Sequence, residues 1–188
     1  SCVQEYIEHL KSICGSYGIS KLKWIVPGGE TGQLSIYNGL KAIHDHCPED
    51  SIVLIHDGVR PVITQELLTA NIEGVLQHGS AISCARAIET FSQVDDRHQI
   101  VNVMPREASV VAKAPQSFYI KDIFAAHQRA LAENRHDFID SASMMLHYGH
   151  ALYAVDCENS NIKITTPSDF YTLRALLEAK ENSQIFGL

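Results

Sequence analysis

The sequence predicts an α/β fold: a mostly parallel sheet flanked by helices, with a protruding β-arm. Three observations predict it. Short apolar, β-branched runs alternate with longer segments whose apolar residues recur every three to four positions, the order expected when strands are joined by helices. Residues 52–56 (Ile-Val-Leu-Ile-His) are apolar almost throughout, without alternation, as befits a strand buried on both faces of a parallel sheet. Residues 89–113 break the pattern with paired β-like runs around a polar turn. No internal repeat, low-complexity segment or interdomain linker interrupts the 188 residues, so 1–188 reads as a single domain that includes the arm at about 89–113.

In order along the chain, Val3, Ile7, Leu10 and Ile13 stand at helical spacing over 3–14, with Glu5, Glu8 and Lys11 opposite and Gly15 and Gly18 closing the helix. Residues 22–26 read as a short strand, followed by the turn Pro27-Gly28-Gly29. Glu30 and Thr31 then lead into a helix with Leu34, Tyr37, Leu40 and Ile43 as its apolar stripe. A glycine pair between strand and helix is a place where backbone N–H groups can meet a ligand, although a plain turn accounts for the same residues. After the strand at 52–56, Thr64 caps a helix over 64–77 that Gly79 ends, and 81–85 is another strand.

In the arm, Phe91-Ser92-Gln93-Val94 and Ile100-Val101-Asn102-Val103 flank the turn Asp95-Asp96-Arg97-His98, and a third β-like run, Ser109-Val110-Val111-Ala112, follows Pro105-Arg106-Glu107. Exposed apolar β-arms find a partner, and a symmetric homodimer is the simplest one. Ala114-Pro115-Gln116-Ser117-Phe118 returns the chain to the core. Helices follow at 122–132 and 140–147, the second with Asp140 at its N-cap, then a strand at 152–155 and an extended segment at 161–165. Thr166 caps the last helix, with Pro167 at its first position, and that helix runs to about residue 181.

The composition, 45% apolar and 20% charged, is that of a soluble globular protein. A net charge of −7 argues against a general nucleic-acid binder, which needs a basic face. No apolar run reaches membrane-spanning length, and the first residues lack the pattern of a signal peptide. Cys2, Cys14, Cys47, Cys84 and Cys157 are odd in number, widely spaced and without a C-x-x-C pair, which fits reduced thiols in a cytoplasmic protein. His44 and His46, the closest pair among ten histidines, point apart on a helix end, so the histidines read as solvated.

The chemistry gathers after the strand at 52–56, because ligands collect at the carboxyl ends of strands in open α/β sheets. Asp57 stands there, with Gly58 leaving room beside it and Arg60 near any anion. A single carboxylate suits Mg2+, which takes one or two such ligands plus substrate phosphate oxygens. A chain turn with a surface cation is the alternative account. Asp57, Arg60, Arg106, Asp140 and Lys163, at strand ends, a helix start and the arm, suit a phosphorylated substrate with a metal. Nucleotidyl transfer is catalysed chiefly by positioning and charge neutralisation. No Ser-His-Asp order, H-E-x-x-H or Walker loop is present, and no cysteine has a nucleophile's setting.

Seven pieces occur in a fixed order: Pro27-Gly28-Gly29-Glu30, Ser35 with Asn38-Gly39-Leu40, His56-Asp57-Gly58-Val59-Arg60-Pro61, Glu89-Thr90, Ala114-Pro115-Gln116, Asp140-Ser141-Ala142-Ser143 and Asn161-Ile162-Lys163-Ile164-Thr165. On these pieces, over residues 22–177, the chain resembles the CTP-dependent polyol- and sugar-phosphate cytidylyltransferases. That family activates 2-C-methyl-D-erythritol 4-phosphate or D-ribitol 5-phosphate. The resemblance implies the Rossmann-like fold of the nucleotide-diphospho-sugar transferases, CTP and a polyol phosphate as substrates, Mg2+ held by Asp57, and a homodimer through the β-arm. It implies that Gly28, Gly29 and Glu30 surround the base. It also implies that Ser35 and the backbone near Asp57 and Gly58 contact the cytidine. It further implies that Lys163 reaches phosphate beside Asp57 and Arg60, with Thr165 and Asp140 near the acceptor. Thr90 and Arg106 would hold the acceptor's phosphate, Arg106 from the second subunit.

The chain departs from the family's pattern in places. The glycine-rich loop that wraps the triphosphate, with its arginine and lysine, is expected before residue 1, and residues 1–188 without it should show little turnover. Ala114 stands where T-P-Q is usual, Ile139 where a threonine precedes the aspartate, and Gly32 where an arginine is common. These losses leave the acceptor open between the two polyols, while Asn161–Pro167 and Ala114–Phe118 lean toward the ribitol branch. A non-catalytic homologue, serving as a dimerisation or regulatory module, is the rival of another class.

Overall fold

The computed structural model of the chain describes residues 1–186. A 3-10 turn (Gln4–Tyr6) precedes α1 (Ile7–Ser16), then α2 (Gly32–His44), β1 (Ile52–Ile55), α3 (Gln65–His78), β2 (Ser80–Arg86), β3 (Ser92–Val94) and β4 (Ile100–Val103). A second 3-10 turn (Arg106–Ala108) leads to β5 (Val110–Tyr119), α4 (Ile120–Ala132), α5 (Ser141–His147), β6 (Ala154–Asp156) and α6 (Pro167–Phe186). The protein is α/β, with a mixed sheet in the order β1-β5-β2-β6 and a separate β3-β4 hairpin. The chain divides into two compact units, 1–53 with 78–80 and 117–152, and 54–77 with 81–116 and 153–188.

The first unit is built around α4. Ile120, Ile123, Phe124, Ala126, His127 and Ala130 form its buried stripe, at the three- and four-residue spacing of one helix face. On that stripe Phe124 stacks against Tyr37 of α2, with ring centroids 5.7 Å apart, and against His44 at 4.2 Å. Met144 and Met145 of α5 are each 1% exposed. Burying a side chain of that size contributes roughly 1.5–3 kcal/mol. Thr31 starts α2 by accepting a hydrogen bond from the Leu34 N–H at 3.2 Å, and Asp140 starts α5 by accepting from Ser143 N–H at 2.8 Å.

The second unit holds parts of all four strands of the main sheet. β2 and β6 pair in parallel, with Ile82, Ser83 and Cys84 opposite Ala154, Val155 and Asp156. Helix α3 lies against them. A Cβ on Gly74 would come within 2.9 Å of the Ala81 Cβ and 3.3 Å of Val155, so glycine is needed where the helix approaches. Asn71 is fully buried and donates to the Leu67 carbonyl at 2.9 Å and the Ser83 hydroxyl at 3.0 Å. In the hairpin, β3 and β4 are antiparallel and exposed along their whole length.

Several expectations are corrected. The segment at 22–26 is not a strand. Its end makes only a single bridge, Cys2 with Pro27, and a strand needs a ladder to bond its backbone. β1 is not buried on both faces: Val53 is buried while Ile52, Leu54 and Ile55 are partly exposed, and the strand, at one edge of the sheet among the described residues, stops at Ile55. The third β-like run of the arm is the beginning of β5, which continues without a break through Ala114–Phe118. The helix expected from Val3 opens as a 3-10 turn and buries none of its residues. The strand at 152–155 is shifted to Ala154–Asp156, and α6 runs past 181 to Phe186.

Candidate active site

The turn after β1 places an acid between two cations. Arg60 N–H donates to the Asp57 carbonyl at 3.0 Å, and His56 Nε2–H donates to the Arg60 carbonyl at 2.9 Å, which closes the turn. Within it, Arg60 Nε lies 2.9 Å from Asp57 Oδ2 and Lys163 Nζ lies 3.4 Å from Oδ1. The Arg60 side chain is 11% exposed, whereas Asp57 is 36% and Lys163 46% exposed. Burial alone would raise the Asp57 pKa. The Arg60 hydrogen bond and the Lys163 charge outweigh it and hold the carboxyl below its ordinary range, so Asp57 is ionised at neutral pH.

Arg60 is held from two sides. Its Nη1 donates to the Asn161 carbonyl at 2.8 Å while its Nε holds Asp57. It is thus a brace for the carboxylate, and Lys163 is the more accessible cation. The segment carrying Lys163 is tied down on both sides: Asn161 Nδ2 donates to the Ala114 carbonyl at 2.7 Å, and Ile164 N–H donates to the Val59 carbonyl at 2.9 Å. Thr165 is bound into the start of α6, where Asp169 accepts from the Thr165 N–H at 2.8 Å and the Thr166 N–H at 2.7 Å. The cap acceptor of α6 is therefore Asp169 reaching back, with the Thr166 hydroxyl paired to Ser168. Gly58 is exposed, with open space where a Cβ would stand.

Thr90 and Arg106, 16 residues apart, meet on the exposed arm, where Arg106 Nη2 donates to the Thr90 hydroxyl at 3.0 Å. In the first unit, the Gly28-Gly29 loop is closed by its own residues. Gly28 N–H donates to the Cys2 carbonyl at 2.7 Å, and Gly29 N–H donates to Ser35 Oγ at 3.0 Å. Ser35 in turn donates to the Thr31 carbonyl at 2.9 Å. A Cβ on Gly29 would fall 2.4 Å from the Leu34 Cβ, so the glycine is required by the approach of α2. Both loop N–H groups are thus occupied within the chain. Glu30 is exposed beside them, and Asp140 is the N-cap of α5.

Sequence reading missed Lys113 and the role of Asn161. Lys113 Nζ donates to the Asn159 carbonyl at 3.0 Å and reaches the Glu158 carbonyl at 3.4 Å. The signal that could have found it is a lysine inside the otherwise apolar run 110–115.

Comparison with known proteins adds four findings. The family model for 2-C-methyl-D-erythritol 4-phosphate cytidylyltransferase matches residues 3–179. The ribitol-5-phosphate cytidylyltransferase of Vibrio parahaemolyticus is 45% identical over 186 residues, covering 99% of this chain and 78% of that protein. The 2-C-methyl-D-erythritol 4-phosphate cytidylyltransferase of Clostridium botulinum is 33% identical, over 94% of this chain and 75% of that protein. Among solved structures, the 4-diphosphocytidyl-2C-methyl-D-erythritol synthase of Anaerococcus prevotii superposes with a TM-score of 0.82 at 28% identity, covering 94% of this chain and 78% of that one.

Proposed function

The chain belongs to the 2-C-methyl-D-erythritol 4-phosphate cytidylyltransferase family, and on that premise we propose that it transfers CMP from CTP to D-ribitol 5-phosphate, giving CDP-ribitol and pyrophosphate. An oxygen of the acceptor's phosphate attacks the α-phosphorus of CTP. The new P–O bond forms as the bond to the β-phosphate breaks, and pyrophosphate leaves with the electron pair. No covalent enzyme intermediate is needed.

The observation that carries this reading is the ionised Asp57 set between Arg60 and Lys163 at the end of β1. Asp57 fits Mg2+ as a single carboxylate: two of its four lone-pair positions are used by Arg60 and Lys163, and two stay open. Among the described residues no group of three His, Cys, Asp or Glu side chains could hold a metal, so the remaining ligands would be phosphate oxygens and water. Mg2+ bound there would neutralise phosphate charge. Lys163 would do the same for an acceptor or α-phosphate oxygen, and Arg60 would keep the Asp57 carboxylate aimed. The family resemblance further assigns Gly28, Gly29, Glu30 and Ser35 to the base, and Thr165 and Asp140 to the acceptor. The exposed Thr90–Arg106 pair supports a phosphate contact made across a homodimer, since Val94, Ile100, Val101 and Val103 leave the arm's apolar surface more than half exposed.

The choice of ribitol rests on the relatives: the enzymes named for ribitol 5-phosphate in Vibrio parahaemolyticus and Streptococcus agalactiae are 44–45% identical, the Clostridium botulinum enzymes named for methylerythritol phosphate 32–33%, and one further ribitol-named enzyme 30%. Pyrophosphate release by the full-length protein with CTP tests it. D-ribitol 5-phosphate should be used at least about tenfold better in kcat/KM than methylerythritol phosphate. The reverse preference, or no turnover of either, overturns the reading.

A further inference from the structure

We propose that Lys113 and Asn161 form a latch between β5 and the segment 158–164, and that this latch is what positions Lys163 over Asp57. Three hydrogen bonds link neighbouring residues, two running one way and one the other. Lys113 of β5 reaches out to the carbonyls of Glu158 and Asn159, and Asn161 reaches back to the carbonyl of Ala114, the residue after Lys113. The Asn161 side chain is 3% exposed, so its bond to Ala114 is shielded from water, and the bond also fixes the backbone on which Arg60 rests.

Among the described residues the Lys163 side chain makes one long contact, 3.4 Å to Asp57, and it is nearly half exposed. A flexible four-carbon stem cannot be placed by such a contact, because exposed ion pairs contribute little. Its backbone has to be placed first. The latch holds the segment on one side of Lys163, and the Ile164–Val59 bond holds it on the other. The segment has no strand partner of its own, so these bonds substitute for a sheet ladder. Lys113 and Asn161 are therefore positioning residues, and their effect passes through Lys163. Misplacing a catalytic group by about 1 Å can lower a rate on the order of a hundredfold.

The inference rests on the reading of Lys163 as a phosphate contact, and a double-mutant cycle in the full-length protein separates the two. With CTP and D-ribitol 5-phosphate, Lys163→Ala should abolish most turnover; if it leaves kcat/KM unchanged, the reading of the site fails first. Given that loss, Lys113→Met keeps the apolar stem and removes the donor. It should lower kcat roughly tenfold, with the melting temperature unchanged, and Lys113→Arg, which restores donors, should recover activity to within about threefold. Asn161→Ala should lower kcat at least as much. The decisive comparison is Lys113→Met placed in the Lys163→Ala background, where it should cost nothing further. If the two losses multiply instead, Lys113 acts independently of Lys163 and the latch is refuted. Wild-type kcat in Lys113→Met refutes it equally.

Discussion

Lowering the pH from 7 to 5 should remove roughly 2 kcal/mol of stability through one side chain, His127. This residue sits in α4 at 1% exposure, with neither ring nitrogen hydrogen-bonded and the Tyr37 ring 6.2 Å away. Burial lowers its pKa from 6.5 to about 4, since the imidazolium would lose its hydration and gain no partner. The unfolded chain takes up this proton near pH 6.5 and the folded chain only near pH 4. Between those values the unfolded state binds more protons, so stability is complete above 6.5 and falls as the pH drops toward 4. The whole shift is worth about 3 kcal/mol, of which about 2 is lost by pH 5. Urea titrations at pH 7 and pH 5 on the wild type and His127→Phe measure it. All other groups titrate alike in both proteins, so the variant should lose about 2 kcal/mol less than the wild type over this interval. Equal losses in the two proteins, or an NMR titration placing the His127 ring near 6.5, would refute the reasoning.

Two further outcomes follow from the site and the arm. Asp57→Ala should lower pyrophosphate release by at least about a hundredfold, with the far-UV circular dichroism unchanged, because Arg60 and Lys163 then face each other without the acid; near wild-type rates at limiting Mg2+ would displace the site from Asp57. If Arg106 serves the partner's site, mixing inactive Arg106→Ala with inactive Asp57→Ala protein should restore activity, since one site of each mixed dimer regains both residues. Demonstrated subunit exchange without rescue, or a monomer in sedimentation at micromolar concentration, would exclude the shared site.

Much of this architecture is legible from local signals. The α2 helix, the Thr64 and Asp140 caps and the β3-β4 hairpin follow from periodicity and turn chemistry, which act within a few residues. So does the position of Asp57 just past a strand. What sequence could not supply was decided by contacts between distant residues. Whether 22–26 forms a strand depends on a neighbouring ladder, which its own β-branched residues cannot provide. The burial of β1 depends on what covers its two faces, and an apolar run looks the same whether covered or not. In the same way, Val110 and Val111 alternate like an arm, yet they open a strand that runs into the sheet. Arg60 reads as a free cation until the Asn161 carbonyl, 101 residues away, is seen to hold it. Lys113 is marked locally only as a lysine among apolar residues, which says nothing of its partners. Its importance comes from the carbonyls of a segment 45 residues further on, because a hydrogen bond has direction and reach in space but leaves no spacing in the chain.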